Sequence, residues 1–160
     1  MTKNFIFRKA DITDAEKLVG LCHELNLYHG VNEKPDCKKL TQYWDYFSVF
    51  VVATEEEIVG FLSGYESFQF HLAILGFELQ NLYVKENYRK MGVGKMLMQK
   101  VIAIKYHEGV ERFALGAQLD NHAAREFYQN LGFHERAQDH ARYVLTGDKL
   151  KKFVSTTSTL

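Results

Sequence analysis

The chain has 160 residues, 46% apolar and 25% charged, a balance that fits one globular domain and argues against wholesale disorder. Twenty Lys and Arg offset twenty Asp and Glu, which argues against a protein whose main task is coating nucleic acid. The zero is uneven: residues 1–84 hold seven basic and twelve acidic residues (net −5), residues 85–105 six and one (net +5), and residues 106–160 seven of each.

In chain order, Phe5 to Ala10 reads as a first strand. Thr13-Asp14-Ala15-Glu16 has the form of a capping box, and Ala15, Leu18, Val19, Cys22 and Leu25 follow at helical spacing. Residues 28–42 are polar, with a short second helix expected around Lys38–Trp44. Phe47–Thr54 is a β-branched and aromatic strand, Glu55-Glu56-Glu57 a turn, and Ile58–Tyr65 the returning strand. A loop containing Phe68, Phe70 and His71 leads to a strand over Phe77–Val84, where strict alternation puts Glu78, Gln80, Leu82 and Val84 on one face. Gly94–Glu108 is a helix with Leu97, Val101 and Ile104 on its core stripe, and Arg112–Ala117 a strand. Asp120–Asn130 is a helix closed by Leu131-Gly132-Phe133, Tyr143–Leu145 a last strand, and Ser155–Leu160 a polar tail. The order implies one mixed α/β domain with helices on both faces of a central sheet.

Cys22 and Cys37 are the only cysteines, too few for a disulfide framework, so a reducing, cytoplasmic setting is expected. The first residues hold no apolar run of signal-peptide length, and the longest apolar stretches, such as Tyr46–Ala53, fall far short of a membrane span, so no membrane partner is expected. The seven histidines are scattered without metal-ligand spacing, so no metal is expected.

The chemistry gathers in Tyr88-Arg89-Lys90-Met91-Gly92-Val93-Gly94-Lys95, between a strand and a helix. A tight glycine turn at a helix start aims backbone N–H groups and the positive end of the helix dipole at one point, which suits a phosphate. Gly92 and Gly94 permit close approach, and Arg89, Lys90 and Lys95 add charge. The segment lacks the GKS/T ending of a nucleotide P-loop and the third glycine of a dinucleotide fingerprint. It does carry R-x-x-G-x-G behind Leu82-Tyr83-Val84, and about thirty residues on comes Asn121-His122-Ala123-Ala124-Arg125-Glu126-Phe127-Tyr128-Gln129-Asn130-Leu131-Gly132-Phe133.

These two elements resemble motifs A and B of the Gcn5-related N-acetyltransferases (GNAT), and the expected element order agrees with that family over roughly residues 4–153. The resemblance implies an α/β GNAT fold: a mixed, mostly antiparallel sheet of six to seven strands with about four helices on its two faces. It implies acetyl-CoA as cosubstrate and direct transfer to a primary amine in a ternary complex. Leu82, Tyr83 and Val84 would then lie along the pantetheine arm. Arg89, Lys90, Met91, Gly92, Val93, Gly94 and Lys95 would hold the pyrophosphate. Asn121 would bond the pantetheine, and Phe127 would line its edge. Tyr128 takes the place of the acid that protonates the departing thiolate. An amine of ordinary pKa near ~10.4 must lose a proton before it attacks. Glu78, the only carboxylate on its strand, is the candidate base, through water.

Within the family, the chain is most similar to the diamine (spermidine/spermine) N-acetyltransferase group over about the last hundred residues. That group carries an adjacent Glu-Asp pair, thought to engage the polyamine, where this chain has Gln80 and Asn81. Both charges are gone from these substrate-side positions, which demotes a polyamine. Glu78, Glu66, Glu33 and Glu24 are the carboxylates available as substitutes. The expected acceptor is a small-molecule amine, with a protein or peptide amine as the alternative. An alternative of another class is a non-catalytic acyl-CoA sensor. Nucleic acid is not an expected partner. A homodimer is expected from the family, with Tyr43, Trp44, Tyr46, Phe68 and Phe70 as surplus aromatics that suit an interface, the core or substrate-pocket walls equally.

Overall fold

The computed structural model describes residues 4–136 and 145–156. The chain forms two compact units, Met1–Gly116 and Ala117–Leu160, each described by itself.

The first unit is built on a five-stranded sheet in the order β1 (Ile6–Lys9), β2 (Ser48–Ala53), β3 (Ile58–Gln69), β4 (Ile74–Val84), β5 (Arg112–Leu115). Neighbours are antiparallel except β4 and β5, which run parallel and are joined by helix α3 (Val93–His107). A parallel pair needs such a crossover because a hairpin cannot reverse the chain twice. Val51 and Val52 of β2 are fully buried, since both faces of this strand are covered. Helix α1 (Ala15–Tyr28) covers one face, where Leu18 and Leu21 join Val49, Val51, Phe61 and Tyr83 in one apolar cluster. Helix α3 packs on β2, β3 and β4 with Val93, Leu97, Met98 and Val101 buried. Its stripe continues to Lys105 rather than Ile104: the Lys105 ammonium is buried near the Phe50 and Phe77 rings, 2.5 Å from Glu66 and 2.7 Å from Glu108.

The helical start expected at Thr13 is replaced by a box one half-turn earlier. Asp11 accepts the Thr13 N–H, and Asp14 accepts the Asp11 N–H at 3.0 Å, closing a 3-10 turn over Ile12–Asp14 from which α1 continues. A carboxylate at both ends satisfies the early N–H groups, and the Thr13 hydroxyl is spent on Asp11. The short helix α2 (Cys37–Gln42) is capped by Asp36.

The loop expected around Phe68, Phe70 and His71 is mostly strand. β3 and β4 form a long hairpin paired from Gly60↔Val84 to Gln69↔Ile74, and only residues 70–73 turn. Phe70 at its tip is 90% exposed, and Tyr46 is 76% exposed, whereas Trp44 packs against the α1-side core.

Strict alternation along β4 does not hold. Asn81 pairs with Ser63 but Leu79 with Gly64, so Gln80 is an extra residue, a β-bulge. The slip reverses the faces beyond it. Tyr83, Asn81 and Glu78 lie on the α1 side, while Leu82 and Val84 share the α3 side with Leu79 and Phe77, so Glu78 is not on the face of Leu82 and Val84. Gly64 faces Phe77 so closely that a Cβ there would stand 2.5 Å from the ring.

The second unit holds helix α4 (His122–Asn130) and helix α5 (Gly147–Thr156). Five strands and five α-helices are present among the described residues, against the six to seven strands and about four helices expected. The last strand expected over Tyr143–Leu145 lies outside the described residues except for Leu145, which precedes α5.

Candidate active site

In the first unit the site is an opening in the sheet. β4 and β5 pair only over Gly76–Leu79 and Arg112–Leu115. From the bulge at Gln80 to Val84, β4 pairs with β3 alone among the described strands. Backbone groups on this stretch of the β4 edge therefore face a gap.

The strand runs directly into the basic turn. Lys90 (φ 60°) and Gly92 (φ 84°) both take left-handed backbone, and Gly92 immediately precedes α3, with nothing within 4 Å of where a Cβ would stand. The hydrogen-bond ladder starts with the Met96 N–H on the Gly92 carbonyl, 2.9 Å. The N–H groups of Val93, Gly94 and Lys95 thus stand at the open end of a 15-residue helix whose first turn has no acidic side chain. Lys90 is exposed beside them. This arrangement fits the pyrophosphate of a coenzyme: orphan N–H donors, nearby cations and an open cradle at Gly92.

Arg89 is turned differently from a phosphate ligand. Its Nε donates to the Val84 carbonyl at 3.0 Å, and its guanidinium lies over the rings of Tyr28 (5.1 Å) and Tyr83 (5.9 Å). It fastens the turn to the strand end and to α1. Tyr83 points away from the gap, and its hydroxyl donates to Glu24 at 2.9 Å. Burial, reinforced by the Glu24 carboxylate, pushes the Tyr83 phenol up to about 12. A cleft of about 400 Å³ opens here, lined in part by Glu24, Leu27, Tyr83 and Lys85.

Glu78 and Arg112 form an ion pair at 2.8 Å, and the Ser67 hydroxyl donates to the same oxygen, Oε1, at 3.3 Å. Asn81 Nδ2 donates to the Ser63 hydroxyl at 2.9 Å, and Gln80 at the bulge is exposed. Of the other carboxylates, Glu66 is on the α3 side with Lys105, and Glu24 is engaged by Tyr83. Glu33 is exposed, and its backbone carbonyl accepts from Asn26 at 2.8 Å. Sequence reasoning missed Arg112, Ser63, Ser67 and Tyr28, whose roles depend on cross-strand register or on the approach of α1.

In the second unit Asn121 caps α4, its Oδ1 accepting the Ala124 N–H at 3.1 Å. Phe127 and Tyr128 are half-buried, with ring centroids 5.5 Å apart, and Phe133 lies 6.2 Å from Tyr128. Burial raises the Tyr128 phenol above its ordinary range. The helix-closing turn is as expected: the Gly132 N–H reaches the Gln129 carbonyl and the Phe133 N–H the Tyr128 carbonyl, with Gly132 at φ 96°.

Among the described residues no group of three or more His, Cys, Asp or Glu stands together as metal ligands, and no helix is long and apolar enough to cross a membrane.

The model of the acetyltransferase (GNAT) family matches residues 18–133, which include the β4 edge, the glycine turn and α4. The chain belongs to the GNAT acetyltransferase family. GNAT relatives include the aminoglycoside N(6')-acetyltransferase type 1 of Acinetobacter genomosp. 13, 40% identical over 57 residues, 36% of this chain and 39% of that enzyme. A tyramine N-feruloyltransferase of Nicotiana tabacum is 31% identical over 98 residues, 58% of this chain and 42% of that enzyme. The chain thus spans about two fifths of the length of these two relatives. A crystal structure of an aminoglycoside acetyltransferase from an uncultured soil metagenomic sample, in complex with trehalose, has the same GNAT fold, with TM-score 0.78 and 23% identity over 89% of this chain and 97% of that one.

Proposed function

We propose that the protein transfers an acetyl group from acetyl-CoA to a primary amine of a small molecule, directly, with both bound. One observation carries this reading. β4 parts from β5 at a bulge and then leads through a left-handed glycine to the open N-terminus of α3. A single backbone edge therefore joins an opened sheet to an anion site.

Acetyl-CoA, when bound, supplies an activated acyl group as a thioester. The Val93, Gly94 and Lys95 N–H groups and the Lys90 and Lys95 cations bind the pyrophosphate, with Met91 and Gly92 shaping the turn. Leu82, Tyr83 and Val84 present backbone groups along the pantetheine. Arg89 positions this edge through the Val84 carbonyl. Family resemblance gives Tyr128 the role of acid. A phenol of ordinary pKa near ~10 is protonated at neutral pH, and burial raises this one further, so Tyr128 holds a proton to donate to the departing thiolate. Glu78 is the base through water. Arg112 and Ser67 both occupy Oε1, so Oε2 is the atom that takes the proton. Resemblance also places Asn121 and Phe127 on the coenzyme.

A diamine or polyamine acceptor is the weaker choice. Gln80 and Asn81 offer amides where carboxylates would hold a second ammonium, and the name of the Acinetobacter relative points to amines on sugar frames.

The test is thiol release from acetyl-CoA against a panel of small and peptide amines, with Tyr128→Phe as control. Amine-dependent release that falls in Tyr128→Phe supports the reading. Acetyl-CoA binding with no release above background for any amine makes the protein an acyl-CoA-binding module instead.

A further inference from the structure

We propose that the α1-side face of the β3–β4–β5 sheet beside the opening is an acceptor subsite for a primary amine on a polyhydroxylated frame, such as an amino sugar. This rests on the acetyl-transfer reading above and names its substrate class.

The bulge at Gln80 brings the face into being. Without the extra residue, Glu78 would share the α3 side with Leu82 and Val84. With it, Glu78 joins Asn81 on the α1 side, in register with Tyr65 and Ser63. The parallel partner β5 adds Arg112.

The resulting strip is polar and close to neutral. Asn81 and Ser63 are bonded to each other at 2.9 Å. Arg112 offsets the charge of Glu78 at 2.8 Å, and Ser67 completes that cluster. Tyr65 is 37% exposed and Asn81 is exposed, so the strip is open to a ligand. It starts at the bulge, where β4 leaves β5, so it is continuous with the Leu82–Val84 edge proposed above to carry the pantetheine.

Amides and hydroxyls both donate and accept, as sugar hydroxyls do. An alkyl diamine brings a second ammonium that needs an uncompensated carboxylate, and the one carboxylate of the strip faces a guanidinium. A neutral strip also has a consequence in salt. Binding through hydroxyls is little screened, whereas capture of a dication weakens as ionic strength rises.

The test compares glucosamine with 1,4-diaminobutane in wild type, Asn81→Asp and Gln80→Glu, measuring kcat and KM for each amine at low and high salt. Both positions are exposed, so both variants should keep the fold, checked by thermal melting. The expected result is a higher kcat/KM for glucosamine in wild type, with KM nearly independent of salt. Each hydrogen bond of ordinary strength contributes about 2- to 10-fold to that preference. At least one added carboxylate should move the ratio toward the diamine by about 5-fold or more, chiefly through KM, and make the diamine KM salt-dependent.

A wild-type preference for the diamine, or a ratio unmoved in both variants, overturns the subsite while leaving acetyl transfer intact. Acetyl-CoA binding with silence toward every amine overturns the transfer reading and the subsite together.

Discussion

Arg89 Nε donates to the Val84 carbonyl at 3.0 Å while its guanidinium covers the rings of Tyr28 and Tyr83. One side chain thus ties the last residue of the open strand edge, the turn that starts α3, and the C-terminal end of α1. On the proposed acetyl-transfer reading, the motif arginine would act on the coenzyme through the Val84 backbone that it positions.

This makes Arg89→Lys a severe change despite the retained charge. An ammonium cannot reproduce the Nε donor together with a planar stack. Arg89→Lys should raise KM for acetyl-CoA about 10-fold, the value of one charge-assisted hydrogen bond, with little change in kcat. Steady-state kinetics with the amine saturating checks it, and a kcat loss with unchanged KM would contradict it.

Gly92 adopts φ 84° directly before α3. Gly92→Ala meets no steric neighbour, so its cost is backbone strain of about 1–2 kcal/mol. The denaturation midpoint should fall accordingly, and acetyl-CoA affinity should fall with it as the turn shifts. Calorimetric titration with acetyl-CoA and urea unfolding measure the two effects separately.

The Asp11–Asp14 box sets an acid limit on stability. The Arg8 hydrogen bonds hold the Asp14 carboxyl below its ordinary range; burial opposes this, and the Asp11 N–H assists it. A lowered folded-state pKa means the stabilisation is full above the unfolded value near ~3.9 and is lost as pH falls through the folded one. Urea midpoints taken from about pH 6 down to about pH 3 should fall more steeply in wild type than in Asp14→Asn. That variant should already be weaker at neutral pH by about 1–2 kcal/mol, having lost a cap and part of a pair.

Glu78→Gln tests the base. Removing it should lower kcat by about 10²-fold with the melting temperature little changed, because the amide still accepts from Arg112 and Ser67. Unchanged turnover would move the proton to another acceptor.

The sequence shows most of the fold because its signals are local. Periodicity places α1 and α3, β-branched runs place β2, and the glycine turn and the Asn121–Phe133 frame each lie on one continuous segment. The bulge at Gln80 left no local mark: it is a register relation between Asn81–Ser63 and Leu79–Gly64, residues far apart in the chain. It alone reverses the face of Glu78. Lys105 misled in the same way, since a lysine reads as surface until Glu66 and Glu108 are brought to it. At the start of α1, Thr13 and Asp11 both had capping chemistry, and the carboxylate prevailed.

The central claim is acetyl transfer to an amine at the opened β4 edge, and product analysis tests it most directly. Mass spectrometry after incubation with acetyl-CoA and a primary amine should show the N-acetylated amine and free CoA in equal amounts. In Tyr128→Phe both should form about 10²-fold or more slowly at unchanged acetyl-CoA affinity. Bound acetyl-CoA with every amine left unmodified would contradict the account.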